Sequence, residues 1–515
     1  MQKSKKYKIL RYTIFIFGLL VFVLPAINTE DDLLYVVSPW LYISCFLFYV
    51  RTMERKRGWI LFALVYLIGY EIRFAGFLGG VSRYYDFISA CLVALVAFAT
   101  FIPFWVDRFY QKNGDKSFGR GILSVMAFPI TRIIMESFII GKQFNLSLTQ
   151  FGNKPLIQSA SVFGDVFISF IVAFIPSVAV YMFLKKDNKK MRVCGITALS
   201  IFLVLMIGGT IRFIMSLGND KGILMAYASG PQKTYYEDPS IEDPDYNENV
   251  KYLTRTVQAA SASGAKLIAY AEEAFMVSES EEEHLVEAAK LLAEENNMYI
   301  LMCLDTSEDE DTYLNKAVFI GNKGEYLSDY LKTNLIPVVE DEYTAGDGVI
   351  PFNQITIGDH DCGVSYTICY DATFSDYLLD MDDRTNLFIN PSWDWEEIDD
   401  LNYRMQGMSA IENGVALFKP TVDGWSIVTD PYGNVSYKDS NLGEDYNQVL
   451  YATVSPGKAV AVYEDLYTYI KLVWVLFTLV LLADMSMIVC KNIKEKKRLK
   501  KEKVKEEITE EVAEN

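Results

Sequence analysis

Three residue types that together could carry an acyl group covalently lie at the ends of apolar runs in this chain. "AKLIAYAEEAF" sets Glu272 and Glu273 directly after a strand-like run. "YLSDYLKTNLIPVVEDEY" presents Lys332 beside the strand-like "NLIPVV", with Glu340 closing that run. "CGVSYTICYDATFSD" carries Val364–Ile368 straight into Cys369, Tyr370 and Asp371. A free thiol has a pKa near about 8.5, so at neutral pH it needs a base. A carboxylate made more basic by burial can accept that proton. A neighbouring ammonium can stabilise both the thiolate and the oxyanion that forms when it attacks a carbonyl. Cysteine, glutamate and lysine are therefore a sufficient set for acyl chemistry.

Histidine-based engines find little support. The chain holds 2 histidines. His284 falls in the acidic amphipathic stretch "EEEHLVEAAKLLAEENN", and His360 is separated from Cys369 by a strand, a span approaching 30 Å at about 3.3 Å per residue. Neither a Cys–His pair nor a Ser–His–Asp triad is expected. Without a CxxC pair, a zinc site is not expected either. The acidic runs "YYEDPSIEDPDYNEN", "DTSEDED" and "DWEEIDD" lack calcium-loop spacing and read as solvated loops. The sequence thus implies no cofactor, no metal and no nucleic-acid partner.

The elements that must position these residues alternate between strand and helix. "GILMAYAS" and "AKLIAYAE" read as buried strands with the helical "YNENVKYLTRTVQAASAS" between them. A helix then precedes the strand "MYILMCLD", "KAVFIGNKGEYLSDY" reads as a hairpin turning at Asn322–Gly324, "TNLFINPSW" is a further strand, and "LNYRMQGMSAIENG" is a helix. Such alternation implies an α/β layered domain.

The rest of the chain explains a contradiction in its composition. A hydrophobic fraction of 51% coexists with a net charge of −18 because apolar and acidic residues lie in different regions. About 20 apolar residues are needed per membrane-crossing helix. By that measure about seven spans precede the α/β region: Tyr12–Ile27, Leu33–Val50, Gly58–Leu78, Phe87–Trp105, Gly121–Ile140, Val162–Leu184 and Val193–Leu217. An eighth lies near Tyr469–Val489. The expected organisation is a bundle over 1–217, a catalytic domain over 218–462, a last span over 463–490 and a charged tail over 491–515. The basic segments "MQKSKKYK", "RTMERKRG", "DRFYQKNGDKSFGR", "KKDNKKMR" and "KNIKEKKRLKK" fall on one face of an alternating path. Positive charge in short loops marks the cytoplasmic side, so both termini are expected there and the α/β domain outside. Of the 7 cysteines, Cys303, Cys362 and Cys369 lie in that domain, where a Cys303–Cys362 bridge is left open.

The order Glu, Lys, Cys, each beside an apolar strand, resembles the nitrilase (carbon–nitrogen hydrolase) superfamily. With the membrane spans it is similar to the apolipoprotein N-acyltransferase family. The resemblance implies an αββα sandwich outside a bundle of about 8 spans, with Glu272 as base, Lys332 as the oxyanion-stabilising ammonium and Cys369 as nucleophile. It makes Glu340 a further functional acid. Asp371 stands where the family has glutamate; "NPSWDW" keeps Asn390 and Trp393; "SAIENG" keeps Glu412. Ala271, Asn334 and Pro391 depart from the family's proline, histidine and aspartate. The implied activity is transfer of an acyl chain from a membrane phospholipid, through a Cys369 thioester, to the α-amine of a diacylglyceryl-cysteine lipoprotein. A membrane-anchored amidase and an inactive lipoprotein-binding scaffold are the alternatives. Within the spans, Arg132 and Glu136 share one helical face at i,i+4, where they either fix helix packing or serve a lipid entrance.

Overall fold

The computed structural model describes residues 2–26, 32–53, 57–78, 85–113, 118–139, 142–184, 189–216, 222–230, 246–309, 312–440 and 448–514. Most of the acidic run "YYEDPSIEDPDYNEN" lies outside the described residues.

Each apolar run expected to span a membrane is a helix: Gln2–Val23, Asp32–Thr52, Arg57–Arg73, Asp86–Asn113, Phe118–Phe138, Ala160–Leu184, Lys189–Met215 and Tyr463–Glu514. Six helices among the described residues are long and apolar enough to cross a bilayer; Gln2–Val23 and Arg57–Arg73 are the two further ones. Their inner faces interlock through rings such as Phe22, Phe46, Phe62 and Phe104. Their outer faces stay bare. In Lys189–Met215 only 11% of the apolar window is buried, with Ile201, Val204 and Ile211 more than half exposed. An apolar wall of that extent suits hydrocarbon and not water. This is a multi-pass membrane protein.

The α/β region stacks two sheets. One runs in the order Val449–Val454, Ile223–Ala228, Leu267–Tyr270, Tyr299–Asp309, Thr312–Ile320 and Tyr326–Leu331, with Phe275–Ser278 pairing beside Tyr299–Asp309. The other runs Val435–Ser440, Trp425–Thr429, Ala416–Lys419, Leu387–Ile389, His360–Tyr366 and Phe352–Ile357. Alternate side chains of a strand point to opposite faces, and the cores follow that period. Leu301 and Cys303 pack between the sheets, while Ile300, Met302 and Leu304 pack outward against helices Tyr246–Ala262 and Glu279–Asn296. On the second sheet Leu387, Ile389 and Phe418 face inward, while Phe388 and Leu417 face the membrane bundle.

Between that second sheet and the bundle lies helix Asp399–Asn413, buried over 399–412 although much of it is polar. Its Arg404 pairs with Asp32 at 2.8 Å and with Asp400 at 3.1 Å. The result is the αββα sandwich expected from the sequence, seated on a helical bundle.

Two details differ from the sequence reading. "NLIPVV" is not a strand: Pro337 has no N–H to give a ladder, Val338 takes φ 73°, and Val339 and Glu340 turn back onto the Ile336 carbonyl. Lys332 instead follows the end of strand Tyr326–Leu331. Cys303 and Cys362 are both free thiols, buried in the core between the sheets.

Candidate active site

Strand ends bring the three reactive groups together. Glu272 follows Leu267–Tyr270, a central parallel strand whose exit is fixed by the Ala271 N–H donating to the Ala228 carbonyl at 2.9 Å. Lys332 is anchored through its own N–H to the Asn315 carbonyl at 2.9 Å and through its carbonyl to the Gly346 N–H at 2.8 Å. Cys369 opens a short helical turn, Cys369–Thr373, just past strand His360–Tyr366. Its φ of 45° lies in the left-handed region, rare for a residue with a side chain. The Cys369 N–H donates to the Pro391 carbonyl at 2.8 Å, and its carbonyl accepts from the Asn390 amide at 3.1 Å, so both backbone groups are held while the side chain is turned out of the strand line.

Glu272, Lys332 and Cys369 are each at most 2% exposed. The Lys332 ammonium donates to Glu272 Oε1 at 2.6 Å and to Glu340 Oε1. Glu340 is steadied by the Ile336 N–H, which donates to its Oε2 at 2.6 Å. Glu272 Oε1 also accepts from the Asn315 amide at 2.8 Å, and its Oε2 from the Trp393 N–H at 2.7 Å. Burial pulls the Lys332 pKa down, but the Glu272 and Glu340 carboxylates outweigh it and hold the ammonium well above its usual range. Burial and then the Glu272 charge push the Cys369 thiol well above its ordinary value, with Lys332 opposing them. At rest the site therefore holds a thiol beside an ion pair. Oxygens of Glu272, Glu273 and Glu340 lie within 4.8 Å of one another, and Lys332 supplies a positive charge among them.

The supporting residues sort themselves by contact. Asp371 ties the Cys369 turn to the lysine segment: its Oδ1 accepts from the Asn334 N–H at 2.7 Å and the Asn334 amide at 2.9 Å, and its Oδ2 from the Tyr330 hydroxyl at 2.7 Å. Two departures from the family pattern thus meet each other. Burial raises the Asp371 pKa against these donors. Asn390 holds the Cys369 carbonyl, and Trp393 sits on a two-residue parallel bridge, Ser392–Trp393 with Thr421–Val422, that delivers its N–H to Glu272.

Comparison with known proteins places the chain. Residues 234–463 match the carbon-nitrogen hydrolase family. A protein of Rickettsia prowazekii named apolipoprotein N-acyltransferase is 23% identical over 462 residues, covering 82% of this chain and 86% of that one. A protein of the same name from Shewanella oneidensis is 23% identical over 317 residues, covering 55% and 58%. The chain is an apolipoprotein N-acyltransferase-like protein of the nitrilase superfamily. It is accordingly an acyltransferase or a carbon–nitrogen hydrolase. Among solved structures, an amidase from Nesterenkonia sp. aligns with a TM-score of 0.39 and 16% identity, covering 47% of this chain and 94% of that one.

Glu412 is not among the groups bonded to Glu272, Lys332 or Cys369. Its Oε2 accepts from Lys142 at 3.0 Å and from Ser375 at 2.6 Å, and its Oε1 from the Asp165 N–H at 2.7 Å. Asp165 follows Gly164, whose φ of 73° kinks helix Ala160–Leu184. Glu412 is thus a strut between the sandwich and the bundle. Arg132 and Glu136 pair at 2.6 Å inside their helix; Arg132 also donates to the Phe144 carbonyl at 3.0 Å, and Glu136 accepts from the Leu146 N–H at 3.2 Å. Arg132 lines a cavity of about 420 Å³ with Arg73, Phe144, Glu396 and Asp400, where bundle and sandwich meet.

Sequence reasoning missed Asn315, which donates to both Glu272 and Glu273. The signal was available: Asn315 is in phase with Ala317 and Phe319, which face the core between the sheets.

Proposed function

We propose that this protein transfers a fatty acyl chain from a membrane phospholipid to the N-terminal α-amine of a diacylglyceryl-cysteine lipoprotein, with Cys369 as the acyl carrier. The observation that supports it most is the joining of one buried Glu–Lys–Cys group with a membrane-embedded bundle in a single chain. In the proposed first half-reaction, the Cys369 proton passes to Glu272 as the sulfur attacks the ester carbonyl. Lys332 and a backbone N–H stabilise the tetrahedral oxyanion. The C–O bond then breaks, Glu272 returns the proton to the departing lysophospholipid oxygen, and a thioester remains. In the second half, the lipoprotein amine attacks the thioester carbonyl and Glu272 takes the amine proton. The C–S bond breaks, the thiolate regains a proton, and an amide leaves.

The raised thiol pKa supports a nucleophile activated only as substrate arrives, which spares a standing thiolate from side reactions. Donor and acceptor both carry acyl chains, so a bilayer concentrates them, and a site closed to water favours transfer over hydrolysis. In this reading the sandwich lies outside the cell and both termini in the cytoplasm, with 1–217, 218–462, 463–490 and 491–515 as the working units.

The test is incubation of the purified protein with radiolabelled phospholipid in detergent micelles. A hydroxylamine-sensitive label on the wild type, absent from Cys369→Ala and discharged by a diacylated lipopeptide, is the expected result. Ammonia released from small amides with no lipid-derived acyl-enzyme would overturn it.

A further inference from the structure

The base Glu272 is followed by a second buried carboxyl that the mechanism does not use. Neighbouring residues of an extended chain point to opposite sides. Glu273 escapes that rule because its backbone sits at φ 52°, in the left-handed region that side chains seldom adopt. The twist brings Glu273 to the same amide as Glu272: Asn315 Nδ2 donates to Glu272 Oε1 at 2.8 Å and to Glu273 Oε1 at 3.1 Å. A strained backbone that gathers two carboxyls on one donor calls for a reason.

Unpaired acceptors around Asn315 supply it. Asn315 is paired across the strands with Asp305, another buried acid. Groups that act on Glu273 or Asp305 include Glu272, Glu340, Lys332, Asn315, Tyr343 and Cys303. Tyr343 hydrogen-bonds to the Asp305 carboxyl. The two amide hydrogens of Asn315 serve Glu272 and Glu273, and Lys332 serves Glu272 and Glu340. Three acceptor oxygens are left buried with no partner: Glu273 Oε2, Asp305 Oδ1 and Asn315 Oδ1. Glu273 is 4% exposed and Asp305 2%, so water does not serve them at the surface. Orphan acceptors of this kind are rare in folded proteins, and each requires an explanation.

We infer that Glu273 and Asp305 hold one proton between them, carried on Glu273 Oε2 and donated to Asp305 Oδ1, and that this proton positions the electrostatics of the Glu272–Lys332–Cys369 group. One hydrogen satisfies two of the three orphans. It also removes one negative charge from a cluster in which Lys332 already faces Glu272 and Glu340. Burial, and then the Asp305, Glu272 and Glu340 charges, raise the Glu273 pKa well above the carboxylate range, and burial pushes Asp305 up to about 7. Both directions agree with a retained proton. When it is lost at higher pH, the added negative charge raises the thiol pKa of Cys369 further and weakens the nucleophile. Glu273 and Asp305 touch no substrate; they are positioning residues. The consequence for catalysis rests on the function proposed above, but the shared proton does not.

Two readouts that require no lipid test it. Infrared difference titration of the full-length protein in detergent should show a protonated-carboxyl band at neutral pH that vanishes in Glu273→Gln and shifts in Asp305→Asn. Alkylation of Cys369 by iodoacetamide should rise about tenfold per pH unit in Glu273→Gln, as for a thiol titrating alone. The wild type should show a shoulder of about three- to tenfold where the pair ionises. A band unaffected by either substitution, or parallel alkylation profiles, overturns the inference. If Glu273→Gln shows no cooperative unfolding transition, Asp305→Asn carries both readouts. Failure of the lipid assay with these results intact would count against the proposed function and leave the shared proton standing.

Discussion

Replacing Lys332 by methionine keeps the length of the side chain and removes the ammonium bonded to Glu272 and Glu340. The carboxylate oxygens there lie within 4.8 Å of one another. At an effective dielectric near 20, two unit charges at that separation repel by about 3.5 kcal/mol. The folded variant escapes by protonating one carboxyl, so that carboxyl's pKa rises in the folded state. The sign follows from linkage: a folded-state pKa above the unfolded one makes stability fall as pH rises between the two values. The stability deficit of Lys332→Met against wild type should therefore grow as pH rises above the carboxylate range, by up to about 3.5 kcal/mol. Thermal unfolding in detergent at fixed protein concentration measures it. The double variant Lys332→Met/Glu340→Gln removes one of the repelling charges, and its deficit should be nearly flat with pH. Acyl-thioester formation should fall by at least about a hundredfold in both, the cost of losing one oxyanion donor. A deficit in the single variant that ignores pH would refute the ion-pair account, and an unchanged thioester rate would refute the role of the lysine.

Further outcomes follow from the same geometry. Glu272→Gln removes the charge that, after burial, raises the Cys369 thiol, so iodoacetamide should alkylate the variant at lower pH than wild type while acyl transfer from lipid is lost; alkylation against pH decides it. Cys369→Gly should unfold at higher temperature than Cys369→Ala, a gain of about 1 kcal/mol, because glycine accepts the left-handed backbone at 369 without strain. Glu412→Ala leaves Lys142 without its nearest carboxylate and should cost about 3–5 kcal/mol, whereas the double change Lys142→Met/Glu412→Leu should recover most of it in thermal unfolding.

The bundle was legible because a bilayer imposes a length and a composition that few other environments do, and each predicted apolar run is a helix. The sandwich was legible through period-two alternation, as in Tyr299–Asp309, where even and odd positions enter different cores. The grouping of Glu272, Lys332 and Cys369 could be guessed because strand ends on one edge of stacked sheets converge. "NLIPVV" misled because apolar content was read without weighing Pro337. Glu412 could not be read at all. Its partners, Lys142 and Asp165, lie far away in sequence in the bundle, and no local pattern announces a contact between a soluble layer and a membrane one. Asn315 and Asp305 show the opposite case: polar residues in phase with buried neighbours are a visible break in alternation, and they mark the site's inner lining.

Helix Asp399–Asn413 has one side against the second sheet and the other against Phe151 and the kinked helix, and its arginine is neutralised by an acid from the bundle. A sandwich cut free of its membrane half would present that helix to water with Arg404 stripped of Asp32 and an apolar floor laid bare. Such a fragment should self-associate or precipitate when expressed alone. The α/β layer thus borrows part of its interior from the membrane layer beneath it.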